Sequence, residues 1–143
     1  YSGTVAAAIE GYLFGVPSIA FSQIDKGWAE LDSAAKIAQL VVERYLESRE
    51  DERAVLLNVN MPNMPVEALK GIRGTRLGKR NCAESVIREM SPRGFPGKPA
   101  DAEEGTDFWA TSHGYVSVTP LQVDLTNYKQ VPTVRGWMDG PAV

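Results

Sequence analysis

The sequence lacks several features that mark particular classes of protein. It has one cysteine in 143 residues, Cys82, which excludes an internal disulfide and fits a reducing compartment. It has one histidine, His113, for which a surface or packing role is the simpler interpretation. No apolar run approaches the roughly 20 residues that a membrane-spanning helix needs, and no signal peptide is visible. We therefore expect a cytoplasmic protein with no membrane partner.

An excess of positive charge is also missing. The 15 Lys and Arg residues are outnumbered by 18 Asp and Glu residues, which gives a net charge of −3. No basic stripe with interleaved aromatic residues is present, so we expect no nucleic-acid duplex as a partner. The apolar share of 43% and the charged share of 23% are ordinary for a globular domain. The length suits one domain with a modest core.

What the first half does contain is an α/β pattern. Residues 2–14 predict an alanine-rich helix that ends at Gly15-Val16-Pro17. Residues 18–22 predict a buried strand, residues 29–48 an amphipathic helix, and residues 54–61 a second buried strand. Strand, helix and strand in this order predict a parallel α/β unit with a right-handed crossover.

The second half is richer in β-type residues and in glycine. Residues 71–78 alternate and predict a strand that leaves the sheet, while residues 81–90 favour an exposed strand over a short helix. Residues 91–105 are rich in proline, glycine and acid and predict a loop. Residues 114–121 alternate again, as a strand does, and a short helix is predicted near residues 134–138.

The first candidate site is the Ser2-Gly3-Thr4 turn before the first helix. A helix N-terminus presents unpaired N–H groups and a partial positive charge. Glycine allows an anion to approach the backbone closely, and the two hydroxyls add donors, so the turn could bind phosphate. The alternative is that the hydroxyls only cap the helix.

Two aspartates are further candidates. Asp107 follows a glycine turn and a cap-type hydroxyl, so it either faces a ligand or stabilises the start of a helical turn. Asp124 lies between apolar residues where the last strand pattern ends. It is either a hydrogen-bonded hinge or part of a plain turn. Residue chemistry alone supplies no general base, no paired carboxylates and no metal ligands in this segment.

Five stretches, in order along the chain, resemble one protein family. They are "YSGTVAAAIEG" at 1–11, "LLNVNMPNMPVEALKGIRGTRLGKR" at 56–80, "SPRG" at 91–94, "GTDFWATSHGYVSVTPLQVDLT" at 105–126, and the approach to the C-terminus. Together they resemble the SurE family of stationary-phase survival proteins. These are metal-dependent nucleoside 5′(3′)-monophosphate phosphatases. The resemblance implies a Rossmann-type three-layer α/β/α domain with a β-hairpin extension and a C-terminal arm.

The resemblance also implies where the chemistry lies. The family binds a divalent metal, Mg²⁺ or Mn²⁺, through residues expected upstream of Tyr1, so the catalytic residues are expected outside this segment. Ser2, Gly3 and Thr4 are implied to bind the substrate phosphate. On this basis we expect the segment to be the C-terminal portion of a nucleotidase, inactive by itself. The alternative is a non-catalytic oligomerisation or nucleotide-binding portion of a larger protein.

The resemblance divides the chain into three parts. Residues 1–65 are the end of the Rossmann-like domain, residues 66–122 a β-rich extension, and residues 123–143 an arm for oligomerisation. The protruding hairpin is expected at Gly71–Met90 and the hinge at Asp124. A homodimer or homotetramer is implied, with contacts through the hairpin and the arm. The family usually has a histidine soon after its "TRLG" strand, where this chain has Asn81-Cys82.

Overall fold

The computed structural model of the chain describes residues 3–24, 29–48, 55–80 and 99–140. Its helices and strands alternate through the first half and become shorter in the second. In chain order they are α1 Gly3–Leu13, β1 Ser18–Gln23, α2 Leu31–Glu47, β2 Leu56–Met61, a 3₁₀ turn at Val66–Ala68, β3 Gly71–Gly74, β4 Lys79–Arg80, β5 Pro99–Asp101, α3 Asp107–Ser112, β6 Tyr115–Pro120 and α4 Val131–Met138. The two predicted helices and two predicted strands of the first half are confirmed, with ends that shift by one or two residues.

Four strands form the central sheet in the order β1-β2-β6-β3. β1 and β2 run parallel, with Ser18 opposite Leu56 and Gln23 opposite Met61, which confirms the predicted parallel unit. β6 is antiparallel to β2, and β3 is parallel to β6. The strand predicted at 114–121 is therefore confirmed as an interior strand of this sheet.

The prediction that residues 71–78 leave the sheet is wrong for Gly71–Gly74. β3 hydrogen-bonds along β6, with Ile72 opposite Val116. The physical reason is that the outer edge of β6 carries backbone groups that need a partner, and Ile72 adds its side chain to the apolar core at the same time. Gly71–Gly74, the start of the hairpin expected over 71–90, thus belongs to the central sheet. Among the described residues, β4 pairs antiparallel with β5 in a short ribbon outside that sheet, while residues 81–98 lie outside the described residues, so the hairpin stays a prediction.

The helices cover the sheet on both faces, which confirms the three-layer arrangement. On one face, α2 contributes Ile37 and Val41 to a core with three buried sheet residues, Val59, Met61 and Val116. On the other face, α1 lies so close to β1 that a Cβ added at Gly11 would lie 2.6 Å from Ser18 Oγ. α3 packs on the same face as α1. Its residue Asp107 contacts Asn60 of β2, and Asn60 lies on the same face of β2 as Leu56, which pairs with Ser18 of β1.

The face under α1 and α3 buries several polar side chains beside the apolar Ala20 and Leu56. Asn58 and Asn60 of β2 lie opposite Thr119 and Ser117 of β6 on this face. Thr75 completes the layer, since its Oγ1 lies 3.0 Å from Ser117 Oγ and 2.7 Å from Thr119 Oγ1. A chain of three hydroxyls can satisfy itself, because each can both donate and accept.

After Pro120 the chain continues as an arm, here defined as residues 121–140. Its helix α4 includes the short helix predicted at 134–138 and begins earlier, at Val131, with Pro132 in its first turn. The arm exposes large apolar side chains; Leu125 is 93% exposed and Trp137 is 72% exposed. Among the described residues, no helix is both long and apolar enough to cross a membrane. The three-part division at residues 65/66 and 122/123 stays a prediction.

Candidate functional site

The N-terminus of α1 lies at the carboxyl edge of the central sheet. The helix packs on β1 and is joined to it by only the four residues 14–17, so the two elements must run antiparallel. Gly3 and Thr4 in the first turn of α1 therefore lie beside the end of β1. In open α/β sheets, ligands bind in the crevice at this edge. Ser2, the third predicted phosphate-binding residue, lies outside the described residues.

The first turn of α1 suits an anion. Gly3 and Thr4 are both exposed, and a Cβ added at Gly3 would meet no described atom within 4 Å, so an anion has room to approach the backbone at Gly3. The turn carries no acidic side chain that would offset the positive end of the helix dipole. An eleven-residue helix has a full set of aligned peptide dipoles behind those N–H groups.

Asp107 lies in the first turn of α3, as the helix-start interpretation expects. Thr106 is the N-cap residue, and its Oγ1 accepts a hydrogen bond from the backbone N–H of Trp109 at 3.1 Å. The Asp107 side chain is only 7% exposed. Its Oδ1 accepts from the backbone N–H of Phe108 at 3.0 Å and from that of Gly78 at 2.7 Å. A ligand-facing role for Asp107 stays a prediction.

The base of the β4–β5 ribbon is fixed to the start of α3 by several bonds. The backbone N–H of Asp107 donates to the carbonyl of Arg76 at 3.0 Å, and the backbone N–H of Arg76 donates to that of Gly105 at 3.0 Å. The Arg76 guanidinium also pairs with Asp101 at 2.5 Å. That hydrogen bond holds the pKa of the partly buried Asp101 carboxyl below its ordinary value.

Two hydrogen bonds made by side-chain amides lie at the carboxyl edge, and the sequence analysis predicted neither of them. Gln23, the last residue of β1, donates from Nε2 to Asn63 Oδ1 at 2.8 Å. Asn60 near the end of β2 places Nδ2 3.4 Å from Asp107 Oδ2. One signal was available: Asn58 and Asn60 alternate in an otherwise apolar strand, which indicates one polar buried face.

The outer end of the polar face carries a stack of rings. His113 stacks on Trp109 with ring centroids 4.2 Å apart, which confirms a packing role, and Trp109 stacks on Tyr115. The Arg73 guanidinium lies 4.7 Å from the centre of the Tyr115 ring. A cavity of about 100 Å³ lies beside the stack, between β3 and α3, with Arg73, Glu104 and Trp109 among its lining residues.

Asp124 makes its hydrogen bonds within the arm rather than with the residues at the carboxyl edge of the sheet. Its hydrogen bonds are local: Oδ1 accepts from the backbone N–H of Thr126 at 2.9 Å, and Oδ2 accepts from the Tyr128 hydroxyl at 2.6 Å. The Tyr128 bond, followed by the Thr126 bond, lowers the pKa of the Asp124 carboxyl from its ordinary 3.8. The turn is hydrogen-bonded, and its role as a hinge stays a prediction.

The described residues do not fit a metal centre of their own. They contain no group of three or more His, Cys, Asp or Glu side chains that could hold a metal ion. Cys82 lies outside the described residues. We therefore derive no step through a metal from this part of the chain.

The comparisons with known proteins identify the family. The model of the family described as survival protein SurE matches residues 1–84. The chain belongs to the SurE family. It is also similar to the crystal structure of the SurE protein from Aquifex aeolicus, with 44% sequence identity and a TM-score of 0.76. The match covers 97% of this chain and 58% of that SurE protein.

The family membership confirms the resemblance and the SurE-like Rossmann-type fold. The family match begins at residue 1, so it includes the Ser2-Gly3-Thr4 turn and α1. It also includes the end of β2 with Asn60, while the similarity to the Aquifex aeolicus SurE structure extends over nearly all of the chain. The chain spans somewhat under two thirds of the length of that SurE protein.

Proposed function

We propose that the full-length protein is a metal-dependent phosphomonoesterase that hydrolyses nucleoside monophosphates to a nucleoside and phosphate. The observation that carries the proposal is the open N-terminus of α1 at the carboxyl edge of the sheet in a chain of the SurE family. Phosphate is the anion that such a helix N-terminus binds well. The segment supplies the phosphate-binding side of the site, and residues 1–143 alone are expected to be inactive.

The role of this segment is to bind the substrate phosphate and share its charge. Backbone N–H groups at Gly3 and Thr4, with the Thr4 hydroxyl, are fixed by the helix before the substrate arrives. Donors that need no reorganisation stabilise the charge that develops on the phosphoryl oxygens in the transition state. A divalent metal, Mg²⁺ or Mn²⁺, bound by residues outside this segment, would supply Lewis-acid activation of water.

The reaction is tested with the full-length protein and a nucleoside 5′-monophosphate, with phosphate release as the readout. We expect hydrolysis that EDTA abolishes and that added Mg²⁺ or Mn²⁺ restores. A cyclic nucleotide or an organic sulfate ester serves as a control substrate, because neither offers a terminal phosphomonoester. Undiminished turnover in EDTA would contradict the metal-dependent mechanism, and no turnover with any phosphomonoester would contradict the proposal.

The phosphate-binding turn is tested by the double variant Ser2→Ala, Thr4→Val. We expect kcat/KM to fall by about 10²-fold, the loss typical of removing one preorganised donor. Ser48→Ala is the matched control, because it removes a hydroxyl at the opposite end of a helix, the C-cap of α2. If the double variant loses turnover but binds the nucleotide as before, the turn acts on the transition state. Loss of binding in a protein that never hydrolyses would favour the nucleotide-binding alternative.

A second proposed role is assembly of a homodimer or homotetramer through the arm. Its support is the exposure of Leu125, Tyr128, Trp137 and Met138 along residues that make few contacts with the sheet. Such apolar exposure on a polar segment is typical of an interface. Deletion from Val123 onward should convert the oligomer to monomers in sedimentation. Truncated protein that sediments as the intact oligomer does would contradict this role.

A further inference from the structure

We propose that Asp107 is a positioning residue for the phosphatase site. It couples the end of β2, through Asn60, to the base of the β4–β5 ribbon, through Gly78. The inference rests on the proposed function, because Asn60, which Asp107 contacts, lies one residue before the end of β2, toward the edge of the sheet where the substrate phosphate is proposed to bind.

The Asp107 carboxylate is held by hydrogen bonds from several parts of the chain. It is buried, and its two oxygens serve three donors from three separate parts of the chain. A buried carboxylate is costly unless hydrogen bonds compensate for its lost hydration. Its position in the first turn of α3 therefore fixes that turn relative to β2 and to Gly78, the residue before β4.

Asp107 also bears on the orientation of the Asn60 amide. Asn60 Nδ2 lies 3.4 Å from Asp107 Oδ2 and donates to it, so the amide oxygen points away from Asp107. Asn60 lies opposite Ser22 of β1 and Ser117 of β6, one residue before the end of β2. Asp107 thus determines which end of an amide is presented near the carboxyl edge.

Gly78 has no room for a side chain. A Cβ at this position would overlap the Phe108 ring and the carbonyl oxygen of Asp101. The base of the ribbon therefore lies in direct contact with α3. The backbone N–H of Gly78 donates to Asp107 Oδ1 at 2.7 Å. A change at Asp107 reaches both the ribbon and the end of β2.

The two links can be separated by substitution. In Asp107→Asn, the amide oxygen still accepts from Gly78 and Phe108, but the amide nitrogen then faces the Asn60 nitrogen, so two donors oppose each other. In Asp107→Ala, both links are lost. The exchange Asn60→Asp with Asp107→Asn restores a donor–acceptor pair with its direction reversed. Asp32→Asn, an exposed aspartate in the first turn of α2, is the matched control.

The experiment measures kcat and KM for nucleoside monophosphate hydrolysis, and hydrogen exchange over residues 76–80, in the full-length protein. For Asp107→Asn we expect wild-type protection of Gly78 and a kcat/KM lower by up to about 10²-fold, the loss that a misplacement of about 1 Å can cause. Asp107→Ala should lose both protection and activity. The exchanged pair should regain most of the activity, and Asp32→Asn should match the wild type in both readouts.

Several results would overturn the inference. Wild-type kcat/KM in Asp107→Asn would show that the Asn60 link does not position the site. Equal protection of Gly78 in the wild type and in Asp107→Ala would show that the anchor is absent. If the wild type hydrolyses no phosphomonoester, the proposed function fails and the positioning role falls with it. In that case the exchange readout alone decides whether Asp107 anchors the ribbon.

Discussion

The two faces of the central sheet are built from the same strands but hold the protein together differently. Toward α2, Val59, Met61 and Val116 form an apolar core with helix residues Ile37 and Val41. Toward α1 and α3, the alternate residues of the same strands include Asn60, which pairs with Asp107, and Ser117 and Thr119, which pair with Thr75. Adjacent residues along one strand therefore serve opposite purposes.

The difference indicates that the apolar face mainly contributes stability, whereas the polar face mainly fixes the relative positions of neighbouring elements. Burial of apolar surface is favourable in proportion to area and has no preferred direction. Hydrogen bonds between buried polar groups require defined distances and angles, and each group left unpaired is costly. The apolar face can thus tolerate small shifts, whereas the polar face fixes the elements that lead to the carboxyl edge.

The largest expected effect is on the apolar face. Ile37→Ala removes a buried side chain from the center of the core and should lower the free energy of unfolding by about 2–5 kcal/mol. Denaturant unfolding of the full-length protein measures it. Leu46→Ala on the same helix is the control; its side chain is 58% exposed, so a change within about 0.5 kcal/mol is expected. Equal losses in the two variants would contradict the assignment of this core.

An intermediate effect is expected on the polar face. Thr75→Val keeps the shape of the side chain but leaves the hydroxyls of Ser117 and Thr119 without their partner. Both residues are at most 2% exposed, so the free energy of unfolding should fall by about 1–3 kcal/mol. Thr75→Ser retains the hydroxyl and is the control. A valine variant as stable as the wild type would show that the hydroxyl chain contributes nothing.

A smaller effect is expected at the rim of the polar face. Arg73→Met keeps most of the aliphatic stem but removes the guanidinium that lies over the Tyr115 ring. The loss should be about 0.5–1 kcal/mol, as for exposed cation–π pairs. Arg73→Lys keeps a cation and should lose less. If Met and Lys variants lose the same amount, the charge over the ring does not matter.

The smallest effect is expected in the arm, outside both faces. The hydrogen bond from Tyr128 lowers the folded-state pKa of Asp124, so the ionised carboxylate is favoured in the folded turn. Its contribution is present above the ordinary pKa of 3.8 and is lost as the pH falls through the lower folded value. A carboxyl ¹³C titration should show the lowered pKa, and Tyr128→Phe should move it back toward 3.8. An unchanged titration in Tyr128→Phe would contradict the assigned bond.

The sequence predicted the elements with strong periodicity and missed the pairings between distant residues. The spacing of apolar residues along 29–48 indicated α2 without any knowledge of its neighbours. Residues 71–78 gave no such indication, because a short alternating strand looks the same at a sheet edge and in a hairpin. Only the free edge of β6 decided that Gly71–Gly74 pairs there.

For the candidate site, too, the sequence predicted local features and missed the contacts between distant residues. A helix start is visible in the sequence, because the small residues and hydroxyls at 2–4 precede an alanine-rich stretch. The link between Asn60 and Asp107 joins residues 47 positions apart and has no local signature. Asp107 therefore left two interpretations open, and the buried contact with Gly78 was not predicted at all.

The sequence by itself determined the local features: helices α1 and α2, the buried strands, the small residues and hydroxyls at the start of α1 and the residues that match the SurE family. Each depends on neighbours a few positions away, through the period of 3.6 or 2 and through capping chemistry. The tertiary structure decided the place of β3 beside β6, the orientation of the Asn60 amide and the anchoring of Gly78 by Asp107. These depend on groups that only the folded chain brings within hydrogen-bonding distance.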